Sequence, residues 1–299
     1  MTALGVILAA LLLDAWLGEP RRFHPLVGLG RLAEGVERRL NRGRWRRLRG
    51  GAALASLLMP ALAVAVVLDH YAGPWLDALV LYLTIGLKSL HDHVRPVTLA
   101  LERGELVAAR AAVARLVSRD PEGLDERGVA RAATESVLEN GSDALFASLF
   151  WYLAAGLPGV VAHRVVNTLD AMWGYRTDRF REFGWAAARL DDVLNWLPAR
   201  LTALSYALAG DLLRALRCWQ LQGGRWESPN AGPVMAAGAG ALGVRLGGPA
   251  RYHGRLRRRP LLGEGIAPSP ETPGQALALL RRALGWWLAL IALGGWAVG

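Results

Sequence analysis

Apolar residues along this chain collect in long blocks, and arginine-rich stretches separate the blocks. The clearest blocks cover residues 2–17, 51–68, 75–87 and 283–298. Repeated apolar blocks with basic stretches between them are typical of proteins that cross a bilayer several times. The pattern therefore predicts an all-α, polytopic helical membrane protein in which these four blocks are full spans.

Two further apolar stretches contain signals for turns. Residues 144–161 include Gly156-Leu157-Pro158-Gly159, and residues 201–246 contain two weaker apolar runs, the second rich in Gly and Ala. A turn signal in the middle of an apolar run favours a helical hairpin. We therefore expect re-entrant or interfacial helical pairs in these stretches, within a single integral membrane domain of residues 1–299.

The charge distribution predicts the orientation of the chain. The net charge is +10, with ten arginines in residues 19–50 and eleven in residues 214–282. Loops that stay in the cytoplasm retain Arg and Lys, so a membrane explains the basic balance without nucleic acid as a partner. The predicted cytoplasmic loops are 19–50, 88–143, 164–200 and 214–282.

Acidic residues at helical spacing precede the apolar stretch 144–161. Glu135, Glu139 and Asp143 are each four residues apart, so on a helix they share one face, and Asn140 lies beside them. We take Glu139, Asn140 and Asp143 as candidate catalytic residues.

A second polar pair, Asn167 and Asp170, follows the same apolar stretch at a spacing of three. A hairpin that turns near Leu157 would bring Asp143 level with about Met172. It would thereby gather four side chains at its cytoplasmic end, namely Asn140, Asp143, Asn167 and Asp170. Asn167 and Asp170 are thus catalytic candidates as well.

Carboxylate and amide oxygens are the ligands that Mg²⁺ prefers, often with substrate phosphates completing the shell. The cluster predicts a magnesium site with Asp143 and Asp170 as metal ligands. For each residue alone, a helix cap or a solvated acid at the interface is the alternative. Acids that border apolar segments are costly, which favours a site for the four together.

Further candidates lie after Asp170. Arg176 and Arg179 have guanidinium forks that suit phosphate, although cytoplasmic loops collect arginine in any case. Asp191 and Asp192 are a second possible metal or substrate pair, and an amphipathic helix with a solvated face explains them equally well. Asn230 lies in a turn, where it could bind substrate or cap the next helix.

Several common catalytic motifs are absent. The sequence contains no Walker P-loop, no G-x-S-x-G, no H-E-x-x-H and no C-x-x-C. Cys218 is the only cysteine, so the chain cannot form an intrachain disulfide.

Five strings in order resemble one family of membrane proteins. They are L-L-L-D-A-W-L-G-E-P at residues 11–20, E-S-V-L-E-N-G-S-D at 135–143, V-N-T-L-D-A-M-W-G-Y-R at 166–176, F-G-W-A-A-A-R-L-D-D-V-L-N-W-L-P-A-R-L at 183–201 and S-P-N-A-G at 228–232. In this combination they resemble the adenosylcobinamide-phosphate synthase family of cobalamin biosynthesis, over nearly the whole chain.

The resemblance implies an acid–amine ligase of the bacterial cytoplasmic (inner) membrane. Such an enzyme joins aminopropanol, or its O-phosphate, to a propionate carboxylate of adenosylcobyric acid, a corrinoid. The chemistry of that step leads us to expect ATP and Mg²⁺ as cofactors, with the active face in the cytoplasm. Other late cobalamin-pathway enzymes are candidate partners.

Three other classes remain open on the sequence alone. A magnesium-dependent membrane phospho-alcohol or prenyl transferase would need a third acid near Asp191 and Asp192, where Asn195 and Trp196 stand instead. A non-catalytic membrane sensor or scaffold of the same fold would be expected to lose the polar cluster. A transporter would be expected to place its charged residues within the spans.

Overall fold

The computed structural model describes residues 1–20, 24–71, 73–252 and 254–298, and the chain is 74% helical. The predicted loops 19–50 and 214–282 include residues 21–23 and 253, which lie outside the described residues. The helices are α1 (Ala3–Leu17), α2 (Pro25–Leu40), α3 (Arg46–Tyr71), α4 (Pro74–Thr84), α5 (Leu87–Glu102), α6 (Leu106–Val113), α7 (Glu126–Gly141), α8 (Ala147–Trp173), α9 (Trp185–Leu194), α10 (Trp196–Ala209), α11 (Leu212–Gln222), α12 (Ala231–Leu242) and α13 (Thr272–Val298).

Short strands interrupt the helical pattern, so the prediction of an all-α chain is wrong in one segment. β1 (Leu246–Gly247) pairs antiparallel with β4 (Leu261–Leu262), and β2 (Ala250–Tyr252) pairs antiparallel with β3 (Arg255–Arg257). Gly247, Gly248 and Gly254 have φ values of 73°, 79° and 76°. Glycine adopts this left-handed region readily, which allows the segment to fold back on itself.

Three segments are long and apolar enough to cross a membrane, namely Arg46–Tyr71, Glu126–Trp173 and Thr272–Gly294. The predicted span 51–68 lies within the first, and most of 283–298 lies within the third. The predicted span 75–87 instead contains α4, whose 11 residues are about 16 Å long, half of a bilayer core of about 30 Å. Four full spans are therefore not confirmed.

The described residues form two compact units. The first comprises Met1–Gly86 and Ala147–Asn195, and the second comprises Leu87–Phe146 and Trp196–Gly299. In the first unit, α2, α3 and α9 pack on α8 around buried side chains that include Leu169, Trp173 and Phe183. A Cβ at Gly50 would lie 1.9 Å from the Phe183 carbonyl oxygen. The backbone of α3 can therefore approach the backbone at Phe183 this closely only because residue 50 is glycine.

A break divides α8 near its middle, where the sequence signals a turn. Ala155 and Gly156 leave the helical region, and Gly156 has a φ of 59°. The backbone N–H of Leu157 loses its partner within the helix and donates instead to Asp69 Oδ1 at 3.1 Å. A side chain at the end of α3 therefore caps the second half of α8.

In the second unit, α12 is buried along almost its whole length, from Ala231 to Gly240. Its small residues let neighbours approach, since a Cβ at Gly238 would lie 2.7 Å from the Leu138 methyl carbons on α7. The Gly- and Ala-rich run that predicted an interfacial helix thus forms the centre of this unit.

Candidate functional site

The end of α8 meets α9 at a group of carboxylate and amide side chains in the first unit. Asn167 Nδ2 donates to Asp191 Oδ1 at 3.3 Å. Asp170, one turn further along α8, interacts electrostatically with Asp191 and Asp192. The structure therefore brings together two sequence motifs, V-N-T-L-D and A-R-L-D-D, that the sequence analysis treated separately.

The charges in this group are only partly compensated. Burial raises the pKa of Asp191 to about 6, although a hydrogen bond from Asn167 favours the ionised form. Burial also raises the pKa of Asp192, and the guanidinium groups of Arg189 and Arg176 partly offset that effect. Asp191 is ionised at neutral pH but at a cost in solvation, which makes the site suited to receive a cation or a proton.

Buried polar side chains that the sequence analysis missed hold α9 in place. Asn195 Nδ2 donates to the Asp191 carbonyl oxygen at 3.2 Å, and its Oδ1 lies 2.9 Å from His163 Nε2. Asn195 stands in the resembling string at 183–201, so the string itself was its signal. His163 is a lone histidine in an apolar run, and only the tertiary contact reveals its role.

The backbone of the loop after α8 lies close to Asp170. The Gly174 N–H donates to the Asp170 carbonyl oxygen at 2.6 Å, and a Cβ at Gly174 would lie 2.0 Å from Asp170 Oδ1. Glycine at 174 is therefore required for this placement of the carboxylate. Trp173, just before it, is buried against Phe183, with ring centroids 5.1 Å apart.

The two predicted phosphate-binding arginines have different environments. Residues 174–184 form turns rather than a helix, so Arg176 and Arg179 share no helical face. Arg179 is bound to Glu37 on α2, with its Nη2 2.7 Å from Oε2 and its Nε 3.1 Å from Oε1. Arg176 is exposed, and its positive charge acts on the Asp192 carboxylate.

The remaining catalytic candidates lie in the second unit. Asn140 is exposed, and its Nδ2 donates to Ser136 within α7. Glu139 is half-buried on the same helix, and Asp143 lies in a π-helical turn, Ser142–Phe146. Such turns occur often at functional sites. Asn167 and Asp170 belong to the first unit, so the meeting of all four side chains stays a prediction.

A buried ion cluster near Glu139 was not predicted. Glu135, only 2% exposed, accepts hydrogen bonds from Arg119, from Arg259 Nη1 at 3.0 Å and from the Gly247 N–H at 2.8 Å. These contacts fix the strand segment, residues 246–262, against α7. Glu135 therefore has a structural role, because it holds the guanidinium groups of Arg119 and Arg259 near Glu139.

Asn230 begins α12, but its side chain does not cap that helix. The Ser228 hydroxyl accepts from the N–H groups of Asn230 and Ala231, at 3.3 and 3.1 Å. Asn230 is buried, and its Oδ1 accepts from Arg200 Nη1 at 3.0 Å. Of the two alternatives for Asn230, the helix cap is therefore wrong, and its role toward substrate stays a prediction.

Among the described residues, no three His, Cys, Asp or Glu side chains are grouped in a way that could hold a metal ion by themselves. The Asp170 carboxylate, with Asn167 one turn before it on α8, instead suits an ion bound through one or two carboxylates. Mg²⁺ commonly binds in this way, with water and substrate phosphates as its other ligands.

These observations define a mostly helical protein with segments able to cross a membrane and a polar site where α8 meets α9. The chain belongs to the CobD/Cbib protein family, whose model matches residues 7–280. The resemblance found in the sequence is thereby confirmed.

Proteins named "Cobalamin biosynthesis protein CobD" are similar to this chain over nearly its whole length. The one from Stutzerimonas stutzeri is 57% identical over 294 residues, which cover 97% of both chains. The one from Chromobacterium violaceum is 56% identical, covering 94% of this chain and 93% of that protein. The one from Rhodobacter capsulatus is 43% identical, covering 98% of both. No solved structure matches the chain.

Proposed function

We propose that this protein acts in cobalamin biosynthesis by forming an amide bond at a membrane. In this proposal, aminopropanol or its O-phosphate is joined to a propionate carboxylate of adenosylcobyric acid, and ATP supplies the free energy. The product is adenosylcobinamide or its phosphate. The names of the relatives support the pathway, and the family resemblance of the motifs supports the reaction.

The observation that carries the proposal is the contact between Asn167 and Asp191. Two strings of the resemblance, separated along the chain, meet through this hydrogen bond of 3.3 Å. Asp170 and Asp192 lie within electrostatic reach of the same carboxylate. A purely structural role would not require three acids close together at the end of an apolar helix, because their mutual repulsion is costly.

Amide formation from a free carboxylate requires activation of that carboxylate. A phosphoryl or adenylyl group transferred from ATP to the propionate gives a mixed anhydride, and ADP or pyrophosphate leaves. The amine then attacks the carbonyl carbon, the C–N bond forms, and the C–O bond to phosphate breaks. Bound Mg²⁺ would neutralise phosphate charge in this reaction, with Asp170 as a ligand and Asp143 as the second ligand predicted from the sequence.

The residues of this site have assigned roles in the proposal. Arg176, which is exposed and acts electrostatically on Asp192, binds a phosphate oxygen through its fork. Asp191, whose pKa is about 6, accepts a proton from the incoming ammonium. Glu139, Asn140 and Asn230 are proposed to position the substrates, together with Asp192.

We further propose a multi-pass arrangement in the bacterial inner membrane, with loops 19–50, 88–143, 164–200 and 214–282 in the cytoplasm. The test places single cysteines at Arg44, Arg115 and Arg257 in a Cys218→Ser background. A membrane-impermeant thiol reagent should label none of them in intact cells and all of them in inverted vesicles. Labelling of any one in intact cells would contradict this orientation.

The reaction is tested with the purified protein in nanodiscs. Adenosylcobyric acid, Mg²⁺, a nucleoside triphosphate and either aminopropanol or aminopropanol O-phosphate are supplied, and the corrinoid is weighed by mass spectrometry. We expect a gain equal to the amine donor minus one water, only when the nucleotide is present. Absence of this product with every donor and nucleotide would contradict the proposal.

A further inference from the structure

A basic cavity in the first unit lies between the end of α2 and the beginning of α3. It has a volume of about 440 Å³, and the loop that contains Arg179 closes one side. Arg38, Arg42, Arg46 and Arg179 line it, against Glu37 as the one acidic lining residue. It is within the size range of small-molecule sites.

Part of the cavity wall is fixed by hydrogen bonds. Arg46 donates from Nε to Asn41 Oδ1 at 2.7 Å, from Nη1 to the Asp178 carbonyl oxygen at 3.1 Å, and from Nη2 to the Arg179 carbonyl oxygen. The Glu37 carboxylate accepts hydrogen bonds from the Arg179 guanidinium and from Asn41 Nδ2, the latter at 2.6 Å. The guanidinium groups of Arg46 and Arg179 are therefore held in place. Glu37 compensates the charge of Arg179, whereas Arg46 is bound only to neutral oxygens and keeps its charge at the wall.

Two other arginines are available to a ligand. Arg42 is exposed and forms no ion pair with any described residue. The side chain of Arg38 is 71% exposed and lies 3.6 Å from Glu34, too far for a strong ion pair, and its charge also acts on Glu37. The cavity thus combines a rigid basic wall with two exposed guanidinium forks.

The backbone between the helices supports this arrangement. Gly43 and Trp45 have φ values of 64° and 68°, and Trp45 is the only described non-glycine residue with a positive φ. The Arg42 carbonyl oxygen accepts from Arg49 Nη1 at 2.5 Å. A tight turn held from both sides keeps Arg42 beside the fixed arginines, at some cost in backbone strain.

We propose that this cavity is a binding site for a phosphate group. Planar guanidinium forks match phosphate oxygens, and four arginines against one glutamate leave a cationic cavity that neutral ligands would not require. The phosphate could belong to a soluble polyphosphate or to an anionic lipid headgroup. The second source arises because α3, which begins at Arg46, is long and apolar enough to cross a membrane.

Direct binding measurements test this proposal separately from amide formation. The full-length protein is placed in phosphatidylcholine nanodiscs and titrated with tripolyphosphate by calorimetry. In a second arm, the protein in detergent is mixed with phosphatidylglycerol, and retained lipid is counted by native mass spectrometry. The test variant is Arg38→Gln/Arg42→Gln. Its matched control is Arg31→Gln/Arg39→Gln, which removes two exposed arginines of α2 that do not line the cavity.

We expect the test variant to weaken binding at least about tenfold in one arm, since each lost charged hydrogen bond is worth roughly that much. The control should bind like wild type. Loss in the tripolyphosphate arm identifies a soluble phosphate, and loss in the lipid arm identifies a headgroup. Wild-type binding by the test variant in both arms, no binding by wild type in either, or an equal loss in the control would overturn the proposal. Equal melting temperatures show that the variants are folded.

Discussion

At the scale of single residues, two carboxylates of the first unit, Glu37 and Asp191, differ in how far neighbouring groups compensate their charge. Arg179 lowers the pKa of Glu37 through a two-pronged hydrogen bond, so that carboxylate is compensated. Burial raises the pKa of Asp191 to about 6. A carboxylate whose charge is compensated is suited to a structural role. A carboxylate whose charge is poorly compensated, within a group of acids, is suited to bind a cation or accept a proton.

Glu37 should therefore make the stability of the fold depend on pH. Its pKa is below the ordinary 4.5 in the folded state, so its contribution is full above that value and is lost as pH falls through the folded pKa. We expect Glu37→Gln to lower the melting temperature at pH 6.5 and to reduce the further fall between pH 5 and pH 3, in differential scanning fluorimetry. Glu34→Gln is the control, because Glu34 is exposed and makes only a 3.6 Å contact. A Glu37→Gln melting curve that falls as steeply as wild type would contradict this role.

The sequence could identify residues by type and spacing but not their distant partners. Asn167, Asp170, Asp191 and Asp192 were all recognisable from local strings. The partner of Arg179 lies 142 residues away, and no local pattern marks Glu37. Asn195 stood in a recognisable string, but its contact with His163 could not be predicted, because that contact exists only after α8 and α9 have packed.

At the scale of elements, the break in α8 shows how a local signal becomes a tertiary contact. Gly156 permits the positive φ, and Pro158 has no N–H to donate. The N–H of Leu157 then needs an acceptor from outside the helix, and Asp69 supplies it. The sequence contains the turn signal, but the identity of the cap depends on where α3 ends.

Asp69→Ala should destabilise the protein by about 1 kcal/mol, the usual cost of a lost helix cap. Asp69→Asn should reduce the free energy of unfolding much less, because its amide oxygen can still accept from the Leu157 N–H. The measurement is the midpoint of unfolding in a graded detergent or denaturant series. Equal stability of wild type and Asp69→Ala would show that the contact contributes nothing.

The strand segment was beyond sequence prediction for a physical reason. Strands of two or three residues are too short to show a period of two. Their positions follow from glycine turns and from the contact of the Gly247 N–H with Glu135. The length of α4 was not predictable either. Ile85 has an extended backbone (φ −85°, ψ 148°), which ends the helix before it is long enough to span a bilayer.

At the scale of the whole molecule, composition predicted a helical membrane protein, and three segments have the required length. Motif order predicted the family, which the match over residues 7–280 confirms. The grouping into two units could not be predicted, because residues 147–195 pack with the N-terminal part of the chain rather than with their neighbours in sequence. We propose that amide formation takes place where α8 meets α9.

The most direct test is the initial rate of cobinamide product formation, read by mass, for wild type, Asp170→Asn and Asp178→Asn at equal amounts of folded protein. Both variants replace a carboxylate with an amide, but Asp178 is exposed in the loop and is not among the charges that act on Asp170 or Asp191. We predict that Asp170→Asn lowers the rate about a hundredfold or more, as expected when a group that stabilises transition-state charge is lost. Asp178→Asn should stay within about twofold of wild type, because an exposed charge contributes little. Product formed by Asp170→Asn at the wild-type rate would contradict the account.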